Sequence, residues 1–119
     1  MKKFKSSYNS EDDVLYIYEP KKKSKESIEL EEDLVIDIDK NKNLVALQIF
    51  YANEFFKALD KDFPKNILNE IKEVNVDFVN YRNYMIIKLL LHYKQKIIEE
   101  KLPPIPMKKY ESPIVNYIK

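Results

Sequence analysis

Apolar and polar residues alternate with a period of two through the first fifty residues, which predicts short strands at close spacing. Phe4 to Tyr8 alternates weakly. After the acidic turn Asn9-Ser10-Glu11-Asp12-Asp13, the run Val14-Leu15-Tyr16-Ile17-Tyr18 has the β-branched and aromatic makeup of a strand. Pro20 closes it, because proline cannot donate to a ladder, and Lys21-Lys22-Lys23-Ser24-Lys25 follows as a solvated loop. Ile28-Glu29-Leu30 starts a short strand and Glu31-Glu32-Asp33 turns the chain. In the next strand Leu34, Ile36 and Ile38 share one face, with Asp37 and Asp39 on the other. Asn41 and Asn43 supply the following turn, since Asn tolerates positive φ. Leu44 to Phe50 is the return strand, with Val45, Leu47 and Ile49 as the cleaner core face.

The period then changes. Ala52, Phe55, Phe56 and Leu59 fall at helical spacing with Asn53 as a candidate cap, so a short helix is predicted over 51–60. Pro64 suits the first turn of a second helix over 64–73, in which Ile67, Leu68 and Ile71 form one stripe. Beyond it, Val74, Val76 and Phe78 alternate with Asn75, Asp77 and Val79, while Met85, Ile87, Leu89, Leu91 and Tyr93 form an unbroken alternate face. Ile86, Leu90, Tyr93 and Ile97 also fit a heptad seam ending before Pro103, so a helix over 84–101 is the alternative to strands there. The strand reading makes Asn80-Tyr81-Arg82-Asn83 and Lys94-Gln95 hairpin turns of a three-strand meander. The expected fold is therefore α+β: an antiparallel β-meander, two short helices, and a second antiparallel meander packed against them. Residues 1–119 read as a single domain, built from 4–60, 64–102 and a proline-rich tail over 103–119 pinned by Ile105, Tyr110 and Ile114.

Composition removes several classes of chemistry. The 119 residues include no Gly and no Cys, which excludes glycine-rich phosphate loops, disulfides and thiolate metal sites. One His excludes paired-histidine metal motifs. The longest apolar run is about five residues, against the ~20 that a membrane span needs, so a soluble, cytoplasmic domain is expected, with no membrane partner. Net charge is +1 and Arg82 is the lone Arg, which removes most bidentate contact to guanine or phosphate.

The first half also follows a known order of elements. The segment Tyr8-Asn9-Ser10-Glu11-Asp12-Asp13-Val14-Leu15-Tyr16-Ile17, then Leu34-Val35-Ile36-Asp37-Ile38-Asp39, then Leu44-Val45-Ala46-Leu47-Gln48-Ile49-Phe50, with Ala52 opening a helix, resembles the uncharacterised family known as domain of unknown function 2283. The resemblance spans about residues 4–60. It departs from the family pattern where Asn43, Ala46 and Gln48 replace Gly, Gly and Glu. What it implies is a small β-rich module, often a stand-alone protein and sometimes encoded beside toxin-like genes. It brings no catalytic residues.

Several constellations invite chemistry and are better explained otherwise. Asp37 to Asn43 opens like a calcium loop but lacks the Gly at position six and the acid at position twelve, where Gln48 stands. The acidic turns Glu11-Asp12-Asp13 and Glu31-Glu32-Asp33 are ordinary solvated turns. His92 has no His or Cys partner and lies on the strand face opposite Leu91 and Tyr93, which suits a surface or interface. Phe50, Phe55, Phe56 and Phe63 are core candidates, whereas nine Tyr exceed what so small a core holds, and exposed Tyr is enriched at interfaces. No catalytic residue, metal ligand or cofactor is expected. The expected function is a non-enzymatic protein-interaction module, with a toxin-like partner suggested by the resemblance and a homodimer expected through Ile86, Leu90 and His92. The alternative is weak, non-specific nucleic-acid binding through Lys21, Lys22, Lys23 and Lys25, which the near-zero net charge disfavours.

Overall fold

The computed structural model describes residues 1–30 and 33–107. Among the described residues nine strands form one antiparallel sheet: β1 (Lys2–Asn9), β2 (Val14–Tyr18), β3 (Glu26–Leu30), β4 (Leu34–Ile38), β5 (Leu44–Phe50), β6 (Glu73–Asn80), β7 (Tyr84–Tyr93), β8 (Lys96–Lys101) and β9 (Ile105–Pro106). The helix α1 (Ala52–Leu59) lies between the two groups of strands in the chain. Spatial order is β3-β4-β5-β2-β1-β6-β7-β8, with β9 continuing the β8 edge against Tyr84 and Met85.

Two features separate this order from a pair of stacked meanders. β2 pairs with β5 rather than β3, Ile17 facing Leu47 and Leu15 facing Ile49. The reason is compositional: Val14–Tyr18 is apolar enough for a central strand, whereas Glu26–Leu30 carries Glu26, Ser27 and Glu29 and suits an edge. The lysine-rich loop carries the chain past β5 and β4 to reach that edge. Second, β1 pairs with β6 through Phe4–Val74 and Lys2–Val76, fusing both groups into one sheet.

The sheet curls. β5 and β6 are separated by β2 and β1, at roughly 4.8 Å per strand spacing, yet Asn80 Nδ2 donates to the Lys42 carbonyl at 2.8 Å and so joins the β6–β7 and β4–β5 turns. The inner face holds one continuous core that includes Phe4, Leu15, Ile17, Ile36, Leu47 and Ile49 from the first group and Val74, Val76, Met85, Ile87, Leu89 and Leu91 from the second. α1 and the segment after it cover that face with Phe56, Phe63, Ile67, Leu68 and Ile71. The Ser6 hydroxyl, which faces inward, donates to the Ile71 carbonyl and so is satisfied.

The strand reading of 84–101 holds and the helical alternative does not, because β7 and β8 form a hairpin from Tyr93–Lys96 to Lys88–Lys101. The first helix stands where the spacing places it. The second does not form. Between Pro64 and the start of β6 there is only a 3-10 turn over Leu68–Glu70, although Ile67, Leu68 and Ile71 are buried as their stripe predicts. Asn66 sits in the left-handed region at φ 57°, which breaks a helix at its first turn. The face of β5 is also corrected. Asp37 pairs with Ala46 and Ile38 with Leu44, leaving Val45 as a β-bulge that turns Leu44, rather than Val45, toward the core with Leu47 and Ile49. In the β4–β5 turn the positive φ belongs to Lys42, at 68°, rather than to Asn41 or Asn43. Of the expected tail anchors, Ile105 is buried, while Tyr110 and Ile114 lie outside the described residues, as do Glu31 and Glu32.

Candidate functional site

The first polar cluster explains why the acidic β1–β2 turn and the start of α1 occur together. Tyr51, which precedes α1, is left-handed at φ 52° and supplies no side-chain cap. Asn53 lies inside the helix, so it is not the cap that the spacing suggests. Asp13 caps instead from the distant turn. Its carbonyl accepts from Ala52 N–H at 3.0 Å, and its carboxylate accepts from Asn53 N–H at 3.2 Å. The same carboxylate accepts from the Tyr8 hydroxyl at 2.6 Å and from Asn53 Nδ2 at 3.1 Å, while Asn53 Nδ2 also donates to Tyr8 Oη at 2.9 Å. Burial first, then the hydrogen bond and charge of Asp13, push the Tyr8 phenol up to about 12, so it stays a donor throughout the physiological range. The cluster is a structural tie. Asp13→Ala should cost about 1–2 kcal/mol, the upper range for a lost cap, measured by urea unfolding; an unchanged midpoint would contradict the assignment.

Asp39 makes a comparable tie within the β4–β5 turn. Its carboxylate accepts from Asn41 N–H at 2.8 Å and Asn43 N–H at 2.9 Å, and the Asn43 backbone bond is the main reason its carboxyl lies below the ordinary value. Among the described residues no group of three or more acidic or histidine side chains is placed to hold a metal ion. The carboxylates that do meet are a pair that spacing does not reveal. Glu100 on β8 stands opposite Leu89, on the core side of the sheet, at 4% exposure. Burial pushes its carboxyl up to about 7, and the hydrogen bond and charge of Asp60 at the end of α1 push the same way. One signal was present in the sequence: Glu100 falls between Ile98 and Leu102, in the apolar parity of its strand.

The convex face of β6, β7 and β8 is where the expected self-association residues lie. Ile86, Leu90 and His92 share that face, each half-buried. Two neighbours complete it, Val79 across from Ile86 and Ile97 across from His92, at 45% and 58% exposure. Only strand register could have supplied these partners. His92 Nε2 is hydrogen-bonded to Asn75 Oδ1, which fixes the ring against the sheet. A charged row crosses the patch, Asp77 facing Lys88 and Lys88 facing Lys101, with Glu99 3.9 Å from the Lys88 ammonium. Elsewhere on the convex surface Tyr16 and Tyr18 stack at 4.9 Å, and Phe50 is half-buried there rather than in the core, while Phe55, Phe56 and Phe63 pack inside. Lys21, Lys22, Lys23 and Lys25 are all exposed in the loop between β2 and β3, with Lys21 left-handed at φ 66°.

These elements coincide with a recognised segment. The chain belongs to the family described as "Protein of unknown function (DUF2283)", whose model matches residues 5–53. That segment runs from within β1 through β5 and ends on Asn53, so the Tyr8–Asp13–Asn53 tie lies wholly within it. An uncharacterised protein of Methanocaldococcus jannaschii, MJ0789, is 32% identical over 103 residues, which covers 84% of this chain and 84% of the relative. The likeness therefore runs past the family segment into the β6–β8 group. No solved structure matches the chain. Among the described residues no helix is long and apolar enough to cross a membrane.

Proposed function

We propose that the protein is a non-enzymatic interaction module whose working surface is the convex face of β6–β8, and that its first partner is a second copy of itself. The observation that carries this reading is the apolar set Val79, Ile86, Leu90 and Ile97 on the side of the sheet that the chain's own core does not use. An apolar face turned away from the core is stabilised when a partner covers it. The row Asp77–Lys88–Lys101 supports a two-fold arrangement, because a stripe of mixed sign can meet its own copy with opposite charges facing. A toxin-like protein encoded nearby is the heterologous partner of this reading, on the same face, and the place of action is the cytoplasm. The Lys21–Lys25 loop alone supports nucleic-acid contact less well, since it offers charge without a surface for bases.

Ile86→Asp tests the proposal by placing a charge in the middle of the patch. Light scattering should show a dimer for the native chain and a 14.3 kDa monomer for the variant, with the fold retained. A variant that associates as the native chain does would remove Ile86 from the contact and contradict the proposal.

A further inference from the structure

The curled sheet sorts charge along its strands. At the end where β1 begins and β2 ends, the β2–β3 loop carries Lys21, Lys22, Lys23 and Lys25, and the β4–β5 turn carries Lys40 and Lys42. The β6–β7 turn at the same end adds Arg82, and the acids among these connections are Glu19 and Asp39. The opposite end is mixed, its β1–β2 turn carrying Glu11, Asp12 and Asp13 and its β7–β8 turn carrying Lys94. A net charge of +1 thus hides a molecule with a basic end.

That end is also shaped. The Asn80–Lys42 hydrogen bond holds the β4–β5 and β6–β7 turns together beside a groove of about 850 Å³, lined by Ile28, Ile38, Lys42, Tyr81, Arg82 and Asn83 among others. Tyr81, which lines the groove, stacks on Tyr84 at 4.8 Å with an interplanar angle of 21°, the two rings at 50% and 40% exposure. The turn that presents them is closed by the Tyr81 N–H donating to the Tyr84 carbonyl at 2.8 Å, and Met107 N–H donates to the Asn83 carbonyl at 2.8 Å beneath it. Glu26, the acid in the wall, is 3.7 Å from the Lys42 ammonium and is neutralised there.

We infer that this groove binds single-stranded nucleic acid, Tyr81 and Tyr84 offering a stacking platform to bases while Arg82 and the Lys21–Lys25 loop contact phosphates. The occupant follows from charge complementarity combined with aromatic surface. Stacking on tyrosine is sequence-tolerant because every base has a π-face, and basic side chains track the backbone. A duplex does not offer free base faces, and an acidic protein does not need the tyrosines. The tyrosine pair stands directly beyond the Val79–Ile86 pair at the end of the sheet, so it borders the convex patch, and the inference is argued from its own residues rather than from the self-association reading.

The test is fluorescence anisotropy of the full chain with fluorescein-labelled 12-nucleotide oligo(U) and oligo(dT), and with a duplex of the same length. Both single strands should bind, more tightly than the duplex, with affinity falling as salt is raised. Tyr81→Ala should weaken binding about tenfold and Tyr81→Phe should retain it, which separates a lost stack from a damaged turn. Arg82→Ala should reduce the salt dependence by about one phosphate contact, while Lys96→Ala at the start of β8, at the far end, should change nothing. Equal affinity for duplex and single strand would overturn the inference. So would Tyr81→Ala binding as the native chain does, or poly-glutamate competing as well as the oligonucleotide at equal charge, because each means that the end reads charge alone.

Discussion

Phe56→Ala is expected to be the most damaging single substitution in the chain, costing about 3–5 kcal/mol. Phe56 is fully buried and stacks on Phe63 at 4.9 Å, with Phe55 meeting it edge-on at 5.5 Å. It is the residue through which an eight-residue helix holds its place over the sheet, and a helix that short has no stability of its own. The alanine variant leaves a hole between α1 and the strands that Phe63 cannot fill without moving. Small domains have about 5–15 kcal/mol in total, so the variant should unfold at much lower urea, with Phe56→Leu falling between. A loss below about 1 kcal/mol would mean that α1 is not anchored through this ring.

The second large effect depends on pH. Glu100 is protonated in the folded protein up to about 7, against an ordinary value of 4.5, so between those limits the folded state holds a proton that the unfolded chain has released. The sign follows: the contribution is complete below about pH 4.5, is lost as pH rises toward 7, and does not change above that. Its full size is on the order of 3 kcal/mol at 1.36 kcal/mol per pH unit, and it belongs to the Glu100–Asp60 pair rather than to one residue. Glu100→Gln keeps a donor toward Asp60 and removes the ionisation. The variant should be more stable than the native chain at pH 8 by about 2–3 kcal/mol, and similar to it at pH 4.5. Urea melts at the two values give the answer; a variant with the native pH slope would place the titration elsewhere.

The two effects differ in how far patterning reveals them: Phe56 lies on the predicted helical stripe, whereas the Glu100–Asp60 pair does not show in it. Period-two alternation makes β2, β4, β6 and β7 legible because each buries one face, and the parity of Ile86, Leu90 and His92 is legible for the same reason. Pairing is another matter. That β2 lies beside β5 depends on which strands can tolerate an edge, and this comparison spans the whole chain. The Val45 bulge reverses a face without leaving any mark on the alternation of its strand. The second helix was lost to one backbone angle at Asn66, where the apolar stripe pointed the right way but the chain had only a few residues before β6 began. Glu100 was legible in part, as a charge in an apolar parity, but its partner Asp60 comes from the end of α1. The basic end needed the topology, since its lysines and arginine are spread from residue 21 to residue 82 and meet only when the sheet curls.

The family segment has its own physical logic. Tyr8, Asp13 and Asn53 bind the first strand, the first turn and the helix into one unit, so the match ends where the tie ends. The strands after it extend the sheet from the β1 edge and supply the convex face on which the proposed function depends.

Sedimentation equilibrium of the native chain over about 1–100 μM, a range chosen to bracket a micromolar dissociation constant, tests that dependence most directly. The expected result is an average mass that rises with concentration from 14.3 kDa toward twice that value. A mass that stays at 14.3 kDa across the range would contradict the claim that the convex face of β6–β8 is covered by a second copy.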